Sequence, residues 1–155
     1  ASDEAGERGI RLAHQSHTLS LFETVEGSLD VLRRVDRDNF GIIYEPANLE
    51  QCAEDYGPDT VRAFLPYTFN VYMQNLRIAP DGESHGEAWS RGKFQFDQVP
   101  MWEDGGLDFV PAMTALEESG YDDYVTLHQA ATPPATTEEF VVETAKYLRG
   151  AATFS

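Results

Sequence analysis

The sequence predicts an α/β fold in which short parallel strands alternate with helices. Three apolar runs rich in β-branched and aromatic residues, at 40–44, 69–73 and 124–127, each lead into polar side chains, and residues 10–14 form a fourth run of this kind. Continuous apolar runs are typical of strands covered on both faces, as in parallel sheets. Stretches with helical periodicity separate the strands, and this alternation indicates βαβ units.

Four stretches between and after the strands carry helix signals. Thr24 is expected to cap the first helix, Pro58 to open the second, Gly120 to end the third and Thr137 to start the fourth. Their apolar residues recur at helical spacing, which predicts one buried face per helix. The side chains expected to face the core are Val25, Leu29, Leu32, Val35, Val61, Phe64, Leu65, Val110, Met113, Leu116, Phe140, Val141, Ala145 and Leu148.

The spacing of the strand ends supports this order and isolates one long segment. Gln15 and Glu45 are 30 residues apart, and Glu45 and Tyr72 are 27 apart, which matches a βα unit of roughly 30 residues. The next interval is longer and contains the Gly-rich, polar segment 79–106. We expect this segment to be a functional lid or a disordered insertion. Its two tryptophans favour packing, and we expect them to pin the segment to the mouth of the sheet.

Composition and charge exclude several classes of protein. The chain has 27 Asp and Glu against 11 Lys and Arg, a net charge of −16, which argues against a nucleic-acid partner because phosphate backbones are bound by clustered Lys and Arg. It has neither a run of about 18 apolar residues nor a signal-peptide pattern, so we expect a cytoplasmic protein with no membrane partner. Cys52 is the single cysteine, which excludes an internal disulfide. The acidity suits an ordinary cytosolic protein or one from a salt-rich environment.

Five segments resemble a known family in their order and spacing. They are 9–17, 40–49, 71–77, 105–109 and 119–129, and the most specific piece is Gly-Tyr-Asp-Asp-Tyr-Val-Thr-Leu in the last of them. Together they resemble the second half of a xylose isomerase-like TIM barrel of the sugar phosphate isomerase/epimerase group. The resemblance implies half of a (β/α)8 barrel, with the fifth to eighth strands parallel and the helices outside. Residues 1–155 would then be a single domain, the C-terminal half of such a barrel, with the N-terminal half absent from this chain.

A complete barrel of this kind needs eight strands and roughly 250 residues. Four curved strands leave the inner face of the sheet in water, and such a surface has to be covered. We therefore expect either a fragment of a longer protein or a half barrel that a second copy or another partner completes. Residues 1–8 are similar to the end of the fourth helix, which favours a truncated protein.

The resemblance also implies a divalent metal (Mn, Mg, Co or Zn) at the C-terminal mouth of the barrel. The family's ligand positions, at the ends of four strands, fall on Gln15, Glu45, Tyr72 and His128. Only Glu45 has the expected side chain. Gln15 and His128 can still act as ligands, through a carbonyl oxygen and an imidazole nitrogen. Tyr72 suits Mg²⁺ or Mn²⁺ poorly, so its role is either lost or taken by Gln74.

Family members of this kind use two carboxylates to move a proton next to a sugar carbonyl that the metal polarises. Both positions are replaced here, by Gln15 and His128. Glutamine cannot act as a base, whereas histidine can. We therefore expect His128 and Glu45 to be catalytic in a sugar or sugar-phosphate isomerase or epimerase. The alternative is a non-catalytic carbohydrate-binding or regulatory barrel with a degenerate metal site. Endonuclease IV-type DNA repair enzymes share the fold, but the charge and the four histidines argue against them.

Three further residues are expected to bind a small-molecule sugar. His17 matches a histidine frequent in the family, Asn48 can bond a hydroxyl where the family often has histidine, and Arg77 resembles an arginine near substrate phosphate or hydroxyls. Each residue of the site also has a purely structural interpretation. Glu45 could pair with an arginine and His128 could be a satisfied core histidine. His17 could bond loop backbone, and Arg77 could form a salt bridge.

Overall fold

A computed structural model describes residues 1–152 of the chain. The strands are β1 (Leu12–Gln15), β2 (Phe40–Tyr44), β3 (Thr68–Met73), β4 (Leu76–Ile78), β5 (Ser84–Ala88), β6 (Gly92–Gln98) and β7 (Val125–Leu127). The helices are α1 (Ser2–Gly6), α2 (Val25–Val35), α3 (Pro46–Gln51), α4 (Pro58–Phe64), α5 (Val110–Glu118) and α6 (Thr137–Ala151).

The four predicted strands form one sheet in the order β1-β2-β3-β7, and every neighbouring pair is parallel. The α/β half-barrel prediction is therefore confirmed. The first strand begins two residues later than predicted, and Ile10 lies half exposed outside the sheet. A left-handed turn at Gly9, with φ +67°, precedes it.

The core lies between the outer face of this sheet and the helices. Ile42, Tyr44, Val71 and Met73 alternate along β2 and β3 and are all buried, as expected for one face of a pleated strand. They belong to one apolar cluster with buried side chains from α2, α4 and α5. The members contributed by these helices include Leu32, Val61, Phe64, Ala112, Met113, Ala115 and Leu116.

The opposite face of the sheet is polar at both ends. Near the amino ends of the strands, the Arg11 guanidinium lies 4.7 Å from the centre of the Phe69 ring and pairs with Asp123 at 2.9 Å. Further along the strands, the Thr126 hydroxyl donates to the Asn70 side-chain oxygen at 3.0 Å. The carboxyl ends of the strands, where the candidate site lies, complete this face.

Most of the predicted helix boundaries are confirmed. The Thr24 hydroxyl accepts a hydrogen bond from the Gly27 N–H at the start of α2, and α5 ends just before Gly120, whose φ is +71°. The last helix begins at Thr137 as predicted, and Thr136 before it forms a capping box with Glu139. The predictions that Val110 and Val141 face the core are wrong, since the two residues are 46% and 48% exposed.

The long segment after β3 is not a disordered insertion, since it forms an antiparallel sheet of order β4-β6-β5. We call residues 84–98, which are β5, β6 and their tight turn, the hairpin arm. Trp89 is 68% exposed at the turn, so it does not pin the segment. Trp102, beyond the arm, packs its ring 5.6 Å from that of Phe140 on α6. Within residues 1–152, no helix combines the length and apolar character needed to cross a bilayer.

Candidate functional site

Parallel pairing brings the polar strand ends to a single edge of the sheet. Gln15 is the last residue of β1, Glu45 follows β2 and His128 follows β7. The Gln15 side-chain amide donates to Glu45 Oε2, and His128 Nδ1 lies 3.2 Å from Glu45 Oε1. Three residues expected to share one cavity from their positions alone thus lie in direct contact. With Asn48 we call them the rim cluster.

Glu45 is the centre of the rim cluster and its side chain is 0% exposed. Asn48 lies on α3, the helix that begins directly after Glu45, and donates its side-chain amide to Glu45 Oε2 at 2.9 Å and to the Ser16 carbonyl oxygen at 2.8 Å. Burial raises the pKa of the Glu45 carboxyl, and the hydrogen bonds from Gln15 and His128 offset part of that rise. A buried carboxylate is retained only when its oxygens are hydrogen-bonded, and here three side chains meet that need.

His128 forms the accessible part of the cluster. Its side chain is 48% exposed, while Nδ1 is directed to the buried Glu45. The ring of Tyr72, on the neighbouring strand, packs 4.5 Å away from the imidazole. Because Nδ1 is engaged with Glu45, Nε2 is the nitrogen left to meet a ligand.

Two residues that the sequence analysis missed hold His128 in place. The His128 backbone N–H donates to the Met73 carbonyl oxygen at 2.9 Å, which extends the β3–β7 pairing by one residue. The next side chain, Gln129, accepts from the Asn75 N–H at 2.8 Å and donates to the Val99 carbonyl oxygen at 2.9 Å. Gln129 and Asn75 were visible as polar positions after strands, but only the pairing shows that they bond each other.

Asn75 organises the chain beside this edge of the sheet. It is fully buried, donates to the Pro100 carbonyl oxygen at 2.8 Å and accepts from the Leu107 N–H at 2.8 Å. Gly106 is required here because a Cβ atom at that position would lie 2.4 Å from the Asn75 side-chain oxygen. The segment that returns from the hairpin arm to α5 is therefore fixed against the strand end.

The remaining predicted substrate-binding residues lie outside the hydrogen-bonded cluster. His17 is exposed in the β1–α2 loop, and its Nδ1 lies 3.1 Å from the Thr18 carbonyl oxygen. Arg77 lies on β4, 3.7 Å from the Asp97 carboxylate. Both therefore have the local contacts of their structural interpretations, a loop backbone bond and a surface ion pair. Neither is hydrogen-bonded to Glu45 or His128.

The side chains of the rim cluster do not fit a resident divalent metal. The Asn48 amide nitrogen is fixed by the Ser16 carbonyl oxygen, so Asn48 presents an N–H to Glu45. Gln15 likewise directs its amide nitrogen to that carboxylate. Two amide donors therefore occupy Glu45 Oε2 and His128 Nδ1 lies against Oε1, whereas Mg²⁺ and Mn²⁺ prefer several free oxygen ligands. Among residues 1–152, no group of three or more His, Cys, Asp or Glu side chains is placed to hold a metal.

Comparisons with known proteins show the family to which the fold belongs. The profile of the xylose isomerase-like TIM barrel family matches residues 1–150. An inosose dehydratase from Lacticaseibacillus casei is 25% identical over 154 residues, covering 94% of this chain and 49% of the relative. The chain thus spans about half the length of the curated relatives that it matches.

Solved structures show the same fold. A xylose isomerase domain protein from Planctomyces limnophilus superposes with a TM-score of 0.72 at 19% identity, covering 97% of this chain and 49% of that one. The IolI protein with a bound zinc atom gives 0.71 at 20% identity, with 98% and 52% covered. D-psicose 3-epimerase with D-fructose gives 0.60 at 16% identity, with 97% and 50% covered. With its four parallel strands and its converging rim, the chain belongs to the xylose isomerase-like TIM barrel family.

Proposed function

We propose that this chain carries the acid–base side of a sugar-modifying site, in which His128 moves a proton at a carbon next to a carbonyl. The observation that supports this most directly is the pairing of a buried Glu45 with a half-exposed His128 at 3.2 Å. A carboxylate that holds one ring nitrogen orients the imidazole and stabilises it when it takes a proton through the other. This is the arrangement that a general base requires.

The substrate class comes from the relatives. Their names, an inosose dehydratase and a D-psicose 3-epimerase, point to polyhydroxylated ketones as ligands for this chain. Dehydration and epimerisation of such ketones both begin with loss of a proton from the carbon beside the carbonyl. The same step begins the interconversion of aldoses and ketoses, so one base can serve all three reactions.

A single base favours isomerisation over epimerisation. Isomerisation moves a proton between adjacent carbons on one face of the sugar, which one imidazole can do. Epimerisation returns the proton to the opposite face and needs a second acid there. Gln15 cannot supply that proton, because an amide does not titrate. The Gln15 amide nitrogen carries a second hydrogen besides the one that it gives to Glu45, and we assign it to the developing oxyanion of the substrate.

Arg77 and His17 have supporting parts in this proposal. His17 lies on the loop that follows β1, at the same edge of the sheet as the cluster, and can donate to a sugar hydroxyl. The Arg77 guanidinium is already paired with Asp97. This neutralisation argues for a neutral sugar, rather than a sugar phosphate, as the ligand.

A non-catalytic sugar-binding site is the second candidate. One observation favours it: the three side-chain donors of the rim cluster occupy the Glu45 carboxylate that a family metal would bind. Such a site would hold hydroxyl groups through Gln15 and His128 without making or breaking a C–H bond.

A barrel of this family also needs its other half. Within residues 1–152, β1 and β7 are the edges of the parallel sheet, and each has one unpaired side. We propose that four further strands pair with both edges, contributed either by a second copy of this chain or by an N-terminal half. These strands would bring the remaining walls of the sugar site.

Deuterium exchange separates the two functions. The chain is incubated in D2O with ketoses and inososes, with and without EDTA, and deuterium at the carbon beside the carbonyl is followed by NMR. We expect exchange that persists in EDTA, is lost in His128→Ala and is retained in His85→Ala, a control in the exposed hairpin arm. Saturable binding without exchange would establish the second candidate, and exchange that EDTA abolishes would contradict the metal-free assignment.

A further inference from the structure

A second buried carboxylate, Glu23, lies outside the rim cluster. The residue is 3% exposed, yet it has no cationic hydrogen-bond partner in the part of the chain that the structure describes. It accepts instead from three backbone N–H groups, those of Leu19 at 2.6 Å, Trp89 at 3.0 Å and Ser90 at 2.7 Å. Leu19 belongs to the β1–α2 loop, whereas Trp89 and Ser90 form the turn of the hairpin arm.

The hairpin arm reaches across the carboxyl end of the parallel sheet. It departs from the end of β3 through β4, and its turn contacts the segments that follow β1 and β2. Two contacts join this turn to the C-terminal end of α3. The Ser90 hydroxyl donates to the Cys52 carbonyl oxygen at 2.6 Å, and Arg91 pairs with the Glu50 carboxylate at 3.0 Å. The arm is therefore held by β4 at one end and by the contacts of its turn at the other, next to the rim cluster.

The β1–α2 loop is shaped around the same carboxylate. Leu19 adopts a left-handed conformation, φ +55°, which a leucine rarely adopts unless the surroundings require it. That conformation places the Leu19 N–H on Glu23. Within the loop, the Ser20 hydroxyl donates to the His17 carbonyl oxygen at 2.7 Å. Because Ser20 directly follows Leu19, this bond links the position of His17 to the part of the loop that Glu23 holds.

We propose that Glu23 is a positioning residue, a latch that joins the hairpin arm to the β1–α2 loop so that the two segments open and close as one unit. Burial by itself would raise the pKa of Glu23, but the backbone N–H groups of Trp89, Leu19 and Ser90 outweigh it and lower the pKa. The carboxylate is therefore charged, and it holds three donors that have no other hydrogen-bond partner within residues 1–152. Loss of that charge weakens these hydrogen bonds in both segments at once, because bonds to an ionised acceptor are stronger than bonds to a neutral one. This latch goes beyond the proposed chemistry and does not depend on it.

Hydrogen exchange of the unmodified chain provides the first test. If the two segments open together, the amides of Leu19, Trp89 and Ser90 share one opening constant, and low concentrations of urea change all three equally. Opening constants that differ between the loop and the arm would overturn the proposal. This measurement needs no variant, so it does not depend on whether a Glu23 variant folds.

A matched pair of variants provides the second test. Glu23→Gln is nearly isosteric but lacks the charge, and Glu87→Gln changes an exposed glutamate on the same arm. For Glu23→Gln we expect exchange to rise about tenfold in segments 17–24 and 88–91 together, while β2 stays protected. Glu87→Gln should match the unmodified chain. A rise in one segment alone, no rise, or a rise that includes β2 would each show that Glu23 does not act as a latch.

Discussion

Glu45 and His128 are 83 positions apart in the chain and meet at 3.2 Å, one fully buried and the other half exposed. The contact exists because β2, β3 and β7 run parallel and end at one edge. The Glu45 carboxylate is therefore shielded from solvent, while the His128 imidazole remains accessible. The other three side chains of the rim cluster each hydrogen-bond the Glu45 carboxylate, which is therefore the centre of the cluster.

Glu45→Gln should stabilise the protein at alkaline pH. The folded-state pKa of Glu45 is raised above its ordinary value of 4.5, so its contribution to stability is present below pH 4.5 and is lost as the pH rises through the raised value. Each unit of that shift corresponds to about 1.4 kcal/mol. We expect the melting temperature of Glu45→Gln to exceed that of the unmodified chain at pH 8 and the difference to shrink towards pH 4.

Glutamine at position 45 keeps an oxygen for Gln15 and Asn48, so the geometry of the cluster should survive. Glu54→Gln serves as the control, because Glu54 accepts from the Val25 N–H at the start of α2 and shows no comparable burial. If pH changed the melting temperatures of both variants equally, the charge of Glu45 would not destabilise the folded chain.

A second prediction concerns the metal. Three substitutions, Gln15→Glu, Tyr72→His and His128→Glu, place the ligand types expected from the family at all four strand ends. The triple variant should bind one Mn²⁺ with a Kd of about 10 μM or tighter, because a carboxylate replaces the Gln15 amide donor and positions 72 and 128 gain an imidazole and a second carboxylate as ligands. The unmodified chain should bind Mn²⁺ at least about tenfold more weakly, a difference of about 1.4 kcal/mol.

Electron paramagnetic resonance of free Mn²⁺ measures this binding without reference to turnover. Tyr72→His alone is the control, since it adds one ligand and leaves the hydrogen bonds of Glu45 in place. Stoichiometric Mn²⁺ in the unmodified chain would contradict the interpretation of the rim cluster as metal-free.

The parts of the fold that could be predicted are those whose pattern lies within a few neighbouring residues of the sequence. The strands of the parallel sheet were predictable because their apolar runs are local, and Gln15, Glu45 and His128 converge simply because parallel strands share an edge. The hairpin arm was missed because β5 is polar and Gly-containing and lacks the apolar alternation that marks a strand; β6 does carry that alternation, at Phe94 and Phe96, and was a signal that could have been used. Gly86 has a structural reason that the sequence hides: a Cβ atom there would lie 2.2 Å from the Phe94 ring.

The chemical character of the site was harder to predict than its location. Gln15 was expected to present a carbonyl oxygen to a metal, and it presents its amide nitrogen to Glu45 instead. Which end of an amide points inward depends on its neighbours, here a buried carboxylate 30 residues away. Glu23 was overlooked for the same reason, since its three partners are backbone N–H groups and two of them lie more than 60 residues along the chain.

The close approach of β2 and β3 yields a third prediction. A Cβ atom on Gly41 would lie 2.3 Å from the Tyr67 carbonyl oxygen and 2.8 Å from the Phe69 ring. Gly41→Ala should therefore lower the free energy of unfolding by about 2 to 3 kcal/mol through overpacking. Urea denaturation measures the change.

Gly150→Ala is the matched control for that substitution. Gly150 lies in α6, where a Cβ atom would meet no other atom within 4 Å, and alanine is the better helix former. The substitution should raise the free energy of unfolding by about 0.5 kcal/mol. A Gly41→Ala variant as stable as Gly150→Ala would show that β2 and β3 do not approach as closely as described.

The fourth prediction follows from the charge of the chain. Most of its ion pairs are exposed, for example Arg34 with Asp30 and Lys146 with Glu143, and exposed pairs contribute about 0 to 1 kcal/mol each. With 27 carboxylates against 11 cations, repulsion among the unpaired carboxylates should exceed that contribution. Raising KCl shortens the screening length from about 10 Å at 0.1 M to about 3 Å at 1 M, so the melting temperature should rise over this range. At pH 4, where many carboxylates are protonated, the rise should be smaller. A melting temperature that falls with KCl at pH 7 would mean that the ion pairs outweigh the repulsion.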